Sequence, residues 1–219
     1  MAEEENLNIL DKKPDPFSNN KNPWKLILAS SSPRREKILK SIKLDFEIIE
    51  PSCTPEKYLK DPIDTVKHNS SAKAHFVYNH VIINNLNYKR AIVAGFDTIV
   101  YQSGRYYGKP GDKKEALFFL EMLSGKIHKV ITGLTLINSA TGKAVSGSQT
   151  TAVRFKKLER KLIEHYIEFE NVLDKAGAYD ILGTGIIFIE DIKGCFYNVA
   201  GLPVKKFIDL LGELGFTLF

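Results

Sequence analysis

Leu26-Ile27-Leu28-Ala29-Ser30-Ser31-Ser32-Pro33-Arg34-Arg35 is the stretch on which the reading of this chain turns. Its four apolar residues read as a strand, and the pattern after Pro33 reads as a helix. Ser32 suits the N-cap, and Pro33 suits the first helical position, where a missing N–H costs nothing. The turn between them would present backbone N–H groups, hydroxyls and two guanidinium groups at the positive end of a helix. Such a turn holds a polyanion such as phosphate. A capped surface helix that happens to carry two arginines is the plainer alternative.

Working outward, strand and helix signals alternate. The patterns predict a strand over 25–29, a helix over 33–42 and a short strand over 46–49. A Pro-containing loop runs to Asp61, followed by a helix over 62–80 and a strand over 91–101. Asp112 and Glu115 have capping-box spacing at the head of a helix over 112–123. The second half reads as a long hairpin, 129–138 with 143–155, and then a helix over 159–169. A second hairpin is expected from 185–190 and 195–199, and a last helix over 204–214. Crossover and hairpin connections together imply an α/β fold: a mixed sheet with flanking helices, in two lobes around a central cleft. Residues 1–23 lack periodicity and read as a flexible N-terminal extension, leaving 24–219 as the folded domain.

With 219 residues, 43% of them hydrophobic and 26% charged, the chain has an ordinary globular composition. A formal charge of +5 fits an anionic ligand. The basic residues are scattered, so nucleic-acid binding is the weaker inference. Cys53 and Cys195 are the only cysteines, with no metal-ligand spacing around them. No apolar run approaches the roughly 18 residues of a membrane span. The acidic N-terminus lacks a signal-peptide core, so the expected location is cytoplasmic.

Some charges sit where charge is costly. Asp97 lies within Ala91-Ile92-Val93-Ala94-Gly95-Phe96-Asp97-Thr98-Ile99-Val100, which is apolar on both strand faces. An unpaired carboxylate there would cost several kcal/mol, so it needs a cation partner or a place beside a site. Lys73 shares a helical stripe with Ile63, Val66, Ser70 and Val77, where it either snorkels to water or meets an anion. Lys109, in Tyr107-Gly108-Lys109-Pro110-Gly111, sits in a rigid turn that can aim it into a cleft. Glu56 taken alone reads as a solvated loop charge.

Together these segments resemble the Maf family of nucleotide pyrophosphatases, related in fold to the Ham1 group. The matches run in order through Leu28-Ala29-Ser30, Ser32-Pro33-Arg34-Arg35, Ala72-Lys73-Ala74 and Gly95-Phe96-Asp97-Thr98. They continue through Gly108-Lys109-Pro110, Leu123-Ser124-Gly125 with His128, and Thr132-Gly133. Asp174-Lys175-Ala176-Gly177-Ala178-Tyr179 and Asn198-Val199-Ala200-Gly201-Leu202-Pro203 complete the set.

The resemblance implies hydrolysis of a nucleoside triphosphate between its α and β phosphates, giving the monophosphate and pyrophosphate. It implies a divalent metal, Mg²⁺ first with Mn²⁺ or Co²⁺ as alternatives, on Glu56 and Asp97. Ser30, Ser32, Arg34 and Arg35 would hold the triphosphate, and Lys175 and Tyr179 would also bind substrate. Asp97, Lys73, Lys109 and Glu56 would be catalytic. The Asp-Lys-Ala-Gly-Ala-Tyr form is similar to the dTTP/UTP subgroup, which includes modified pyrimidine nucleotides among its substrates. A nucleotide is thus the expected partner, with no nucleic acid or membrane; a homodimer is the family's precedent. Two departures stand out: the Glu56 loop is one residue longer than usual, and Leu182 replaces the family's Gln. They leave open a second reading, a catalytically weak nucleotide-binding regulatory protein.

Overall fold

The computed structural model describes Phe17, residues 24–52 and residues 55–218. Apart from Phe17, which is buried and stacked on Phe216, the expected extension lies outside the described residues, as does Cys53. Cys195 is a free thiol.

β1 (Lys25–Ala29) leads into α1 (Pro33–Ser41), and β2 (Glu47–Ile48) follows. α2 (Pro62–Val77) starts where Asp61 accepts N–H bonds from Ile63 and Asp64, with Pro62 in the first turn. It runs on into a π-helical turn, Tyr78–Ile82. β3 (Ala91–Gln102) turns back through β4 (Arg105–Tyr107) into α3 (Lys113–Leu123). Asp112 caps α3 by accepting from the N–H of Glu115, whose own carboxylate bonds the N–H of Gly111. The long hairpin is β5 (Ile127–Asn138) with β6 (Ala144–Phe155), followed by α4 (Arg160–Phe169).

The expected second hairpin is absent: Thr184–Phe188 is a 3-10 helix, and the strand is β7 (Ile189–Lys193). The returning segment is a short helix, α5 (Phe196–Val199). Gly194 turns the chain with φ +134°, and Thr151 then binds both the N–H and the carbonyl of Cys195. Asn198, fully buried, bonds Val130 O and Thr151 Oγ1. These tertiary ties fold the segment back beneath the sheet, where local alternation cannot register them. α6 (Val204–Glu213) closes the fold.

The seven strands form one mixed sheet in the order β2-β1-β3-β5-β6-β7, with β4 added to β3. β1 is parallel to β2 and β3, and the other pairings are antiparallel. One face carries two apolar cores. The first joins Leu26, Leu28, Phe96 and Leu134 to Ile38 and Leu39 of α1 and Phe207, Leu210 and Leu211 of α6. The second joins Val100, Val130 and Phe155 to Phe119 and Leu120 of α3 and Ile163 and Tyr166 of α4. These are the two expected lobes, built on a single sheet. α2 covers the opposite face through Ala74, Val77 and Val66.

α2 lies unusually close to the sheet. A Cβ on Gly95 would collide with Ser70 O and come within 2.7 Å of Ala74 N. A Cβ on Gly133 would collide with Val66 O and come within 2.8 Å of Lys67 N. Gly133 is the register partner of Asp97, so the two glycines seat the helix directly beside that carboxylate.

Candidate active site

The site occupies a gap in the sheet. β1 pairs with β3 only as far as Gly95, and β4 joins the same edge from Val100. Among the described residues, positions 96–99 have no strand partner there. A cavity of about 280 Å³ opens at this place, below the end of β1 and beside the start of α1. It is the strand's carboxyl end feeding a helix, where open α/β sheets place ligands.

On its acidic side, Lys73 Nζ donates to Asp97 Oδ1 at 2.6 Å and to Glu56 Oε1 at 3.0 Å. Asn69 Nδ2 donates to Asp97 Oδ2 at 3.1 Å. Asp97 is 2% exposed, and burial pushes its carboxyl up; Lys73 opposes that shift and Glu56 adds to it. Burial would raise Glu56 as well, but the nearby charges of Lys73, Lys109 and Arg35 outweigh it and hold Glu56 below the usual range. Lys73 therefore meets an anion, as one branch of the sequence reading required, and Asp97 has its cation. Ile63, placed on the same stripe, is exposed instead.

The basic side is built by the serine turn. Ser32 occupies the N-cap, but its side chain makes no cap bond; its N–H donates to Ser30 Oγ at 3.2 Å. Arg35 is buried and bonded from all three of its nitrogens. It donates from Nη1 to Ser30 Oγ at 2.7 Å, from Nε to Gly201 O at 2.9 Å and from Nη2 to Thr98 Oγ1 at 3.1 Å. Burial pulls its pKa down to about 10, against the pull of Asp97, so it stays charged at neutral pH. Arg34 differs: its one bond is a long 3.4 Å contact from Nη2 to Asp174 O. Its Nε is buried without a partner among the described residues. A buried donor calls for a partner, and this one belongs to a residue of the cavity wall.

Ser30, Ser32, Arg34, Arg35, Glu56 and Lys73 all line the cavity, as do Asp97, Lys109 and Tyr179. Lys109 is exposed and makes no hydrogen bond or ion pair among the described residues. Tyr179 is buried, with its hydroxyl 2.9 Å from His128 Nε2. Lys175 is the exception. Its ammonium is tied back to Asn171 O and to Asp174 Oδ1, and it lies outside the lining. Leu182 is also outside the lining, 39% exposed. Sequence reasoning missed Asn69, Thr98 and Asp174. Asn69 stands one helical turn before Lys73, so the signal was present in the spacing.

The donor set at Glu56 and Asp97 fits a hard divalent cation. Both offer carboxylate oxygens facing one cavity, and neither His nor Cys is among the lining residues. Mg²⁺ commonly takes one or two carboxylates and completes its shell with water and phosphate. No cluster of three or more His, Cys, Asp or Glu forms among the described residues, so there is no closed protein cage.

The fold is thus a seven-stranded mixed α/β sheet, split at one edge by a cavity with carboxylates on one wall and guanidinium groups on another. The chain belongs to the Maf family, whose model, described as Maf-like protein, matches residues 25–214. It is 39% identical over 192 residues to a dTTP/UTP pyrophosphatase of Carboxydothermus hydrogenoformans, covering 88% of this chain and all of that one. It is 41% identical over 193 residues to a dTTP/UTP pyrophosphatase of Thermococcus gammatolerans, covering 88% of this chain and 98% of the relative. Ham1 proteins of Staphylococcus aureus and Coxiella burnetii overlap 60% of this chain and 71% and 73% of theirs. Their TM-scores are 0.39 and 0.37 at 11% and 15% identity.

Proposed function

We propose that the chain is a nucleoside triphosphate pyrophosphatase that hydrolyses dTTP, UTP and modified pyrimidine nucleotides to the monophosphate and pyrophosphate. The observation that carries this reading is the ion triplet Glu56–Lys73–Asp97 sharing one cavity with the partnerless Nε of Arg34. Lys73 offsets only one of the two carboxylate charges, so a polyanion beside the pair is favoured when a divalent cation supplies the rest, which fits metal-bound triphosphate. Similarity to the dTTP/UTP pyrophosphatases over nearly the whole chain supports the substrate class.

Glu56 and Asp97 would hold Mg²⁺, which when bound withdraws charge from the phosphates and lowers the pKa of a coordinated water. Arg34 binds the phosphate chain through its guanidinium, whose one bond among the described residues is the long contact to Asp174 O, and Ser30 with Ser32 supplies hydroxyls along the turn. Asp97 accepts a hydrogen bond from the attacking water and orients it. Lys109, on its rigid turn, neutralises charge as the bridging oxygen leaves. Lys73 opposes the upward push of burial on the Asp97 carboxyl. Arg35 holds the turn in shape through its bonds to Ser30, Gly201 and Thr98. Leu182 removes no group from the cavity wall, which favours the enzyme over the regulatory alternative. The reading needs neither nucleic acid nor a membrane; no helix among the described residues is long and apolar enough to span one.

A panel of nucleotides with Mg²⁺ tests it. The expected result is release of pyrophosphate from dTTP and UTP in preference to 7-methyl-GTP, abolished by excess EDTA. Saturable binding without turnover would support the regulatory alternative.

A further inference from the structure

α2 carries a polar stripe at every fourth residue, Asp61, Thr65, Asn69 and Lys73, and the preceding loop is fastened along it. Thr65 Oγ1 accepts the N–H of Leu59 at 2.9 Å. Asn69 Oδ1 accepts the N–H of Lys57 at 3.0 Å, and its Nδ2 donates to the carbonyl of the same residue at 3.1 Å. Lys73 then reaches the Glu56 side chain. The extended loop thus lies along the helix in a fixed register.

Asn69 is the member of the stripe that touches both halves of the acidic site. It is 2% exposed. Its second Nδ2 bond goes to Asp97 Oδ2. The orientation of the amide is fixed by these partners, since a flip would set its oxygen against the Lys57 carbonyl and the Asp97 carboxylate. Only an amide of this length meets an N–H, a carbonyl and a carboxylate at once from one helical position.

We infer that Asn69 is a positioning residue that sets the separation of Glu56 from Asp97 by clamping the Lys57 backbone to the buried carboxylate. This rests on the proposed pyrophosphatase reading and deepens it. Without the clamp, the loop would keep its ties at Leu59, and Lys73 alone would hold Glu56 itself. Lys73 binds the carboxylates but cannot fix the backbone. The extra residue in this loop matters little for the same reason: register is measured from Asn69 and not from the preceding strand.

The test is Mn²⁺ binding by electron paramagnetic resonance, without nucleotide, in the wild-type protein and in Asn69→Ala and Asn69→Ser. Steady-state kinetics with dTTP at saturating Mn²⁺ accompany it. Partners just outside a metal's ligands typically change affinity or activity by about 10–100-fold. We expect Mn²⁺ affinity to weaken by about tenfold or more, and kcat to fall by about 10–100-fold. KM for dTTP should move less than about threefold, because the phosphate-binding turn is untouched. Wild-type Mn²⁺ affinity and kcat in either folded variant would overturn the inference. Failure of both variants to fold would also overturn it, assigning Asn69 to stability of the fold. If the wild-type protein binds Mn²⁺ but releases no pyrophosphate, the functional reading fails, while the effect of the variants on Mn²⁺ affinity still decides the clamp.

Discussion

Arg35 commits its guanidinium to Ser30, Thr98 and Gly201, whereas the Nε of its neighbour Arg34 has no partner among the described residues. The two substitutions should therefore separate. Arg34→Met should raise KM for dTTP by about tenfold or more while the melting temperature stays near wild type, consistent with one lost charge-assisted contact of about 1.5–3 kcal/mol. Arg35→Met should lower the melting temperature as well as activity, because it strands Ser30 and the Gly201 carbonyl. Equal effects of both on stability would contradict this division. In the sequence the pair was legible only as two phosphate-seeking arginines, since which one is consumed by the fold depends on Thr98 and Gly201, distant along the chain.

His128 makes a second residue-level case. It is 1% exposed, and burial lowers its pKa from 6.5 to about 3. As pH falls, the unfolded chain takes up this proton first, so stability present above pH 6.5 is lost between that value and about 3. The slope from this one group reaches about 1.4 kcal/mol per pH unit. Melting curves of His128→Gln should therefore flatten between about pH 6 and 4 relative to wild type. Identical slopes would show that His128 does not set the acid limb.

At the scale of elements, α2 matters most. Its contacts at Gly95 and Gly133 bring Asn69 and Lys73 onto Asp97. Gly95→Ala should push the helix outward, costing about 1–3 kcal/mol by overpacking. Turnover should drop with it, although residue 95 touches no substrate. Thermal melting and kcat measured together check this; a stable variant with unchanged kcat would refute the close-packing argument. The helix itself was legible from Pro62 onward, and β3 was legible with Asp97 inside it. The close approach was not, because a glycine in a strand also reads as a bulge or a bend. The expected hairpin at 185–199 failed for a related reason: Thr151 on β6 and Val130 on β5 hold that segment through bonds to Cys195 and Asn198.

Across the whole molecule, the informative feature is a sheet edge interrupted between β1 and β4. Apolar cores on either side of that interruption fix its width, and α2 closes the opposite face. Alternating strand and helix signals made the mixed fold legible. The ordered motifs in turn made legible that Ser30, Arg34, Lys73, Asp97 and Lys109 belong together. What stayed hidden was the division of labour inside the set, with Lys175 turned away and Asn69 drawn in. That division is decided by which partners the fold supplies, and residue type alone does not disclose it.

The most direct test is product analysis of dTTP hydrolysis with Mg²⁺ by the wild-type protein and by Asp97→Asn. The account predicts dTMP and pyrophosphate in equal amounts from the wild type. It predicts a loss of turnover of about 100-fold or more in the folded variant, since a carboxylate that orients both cation and water is replaced by a neutral amide. Formation of dTDP and orthophosphate, or near-wild-type turnover by Asp97→Asn, would contradict it.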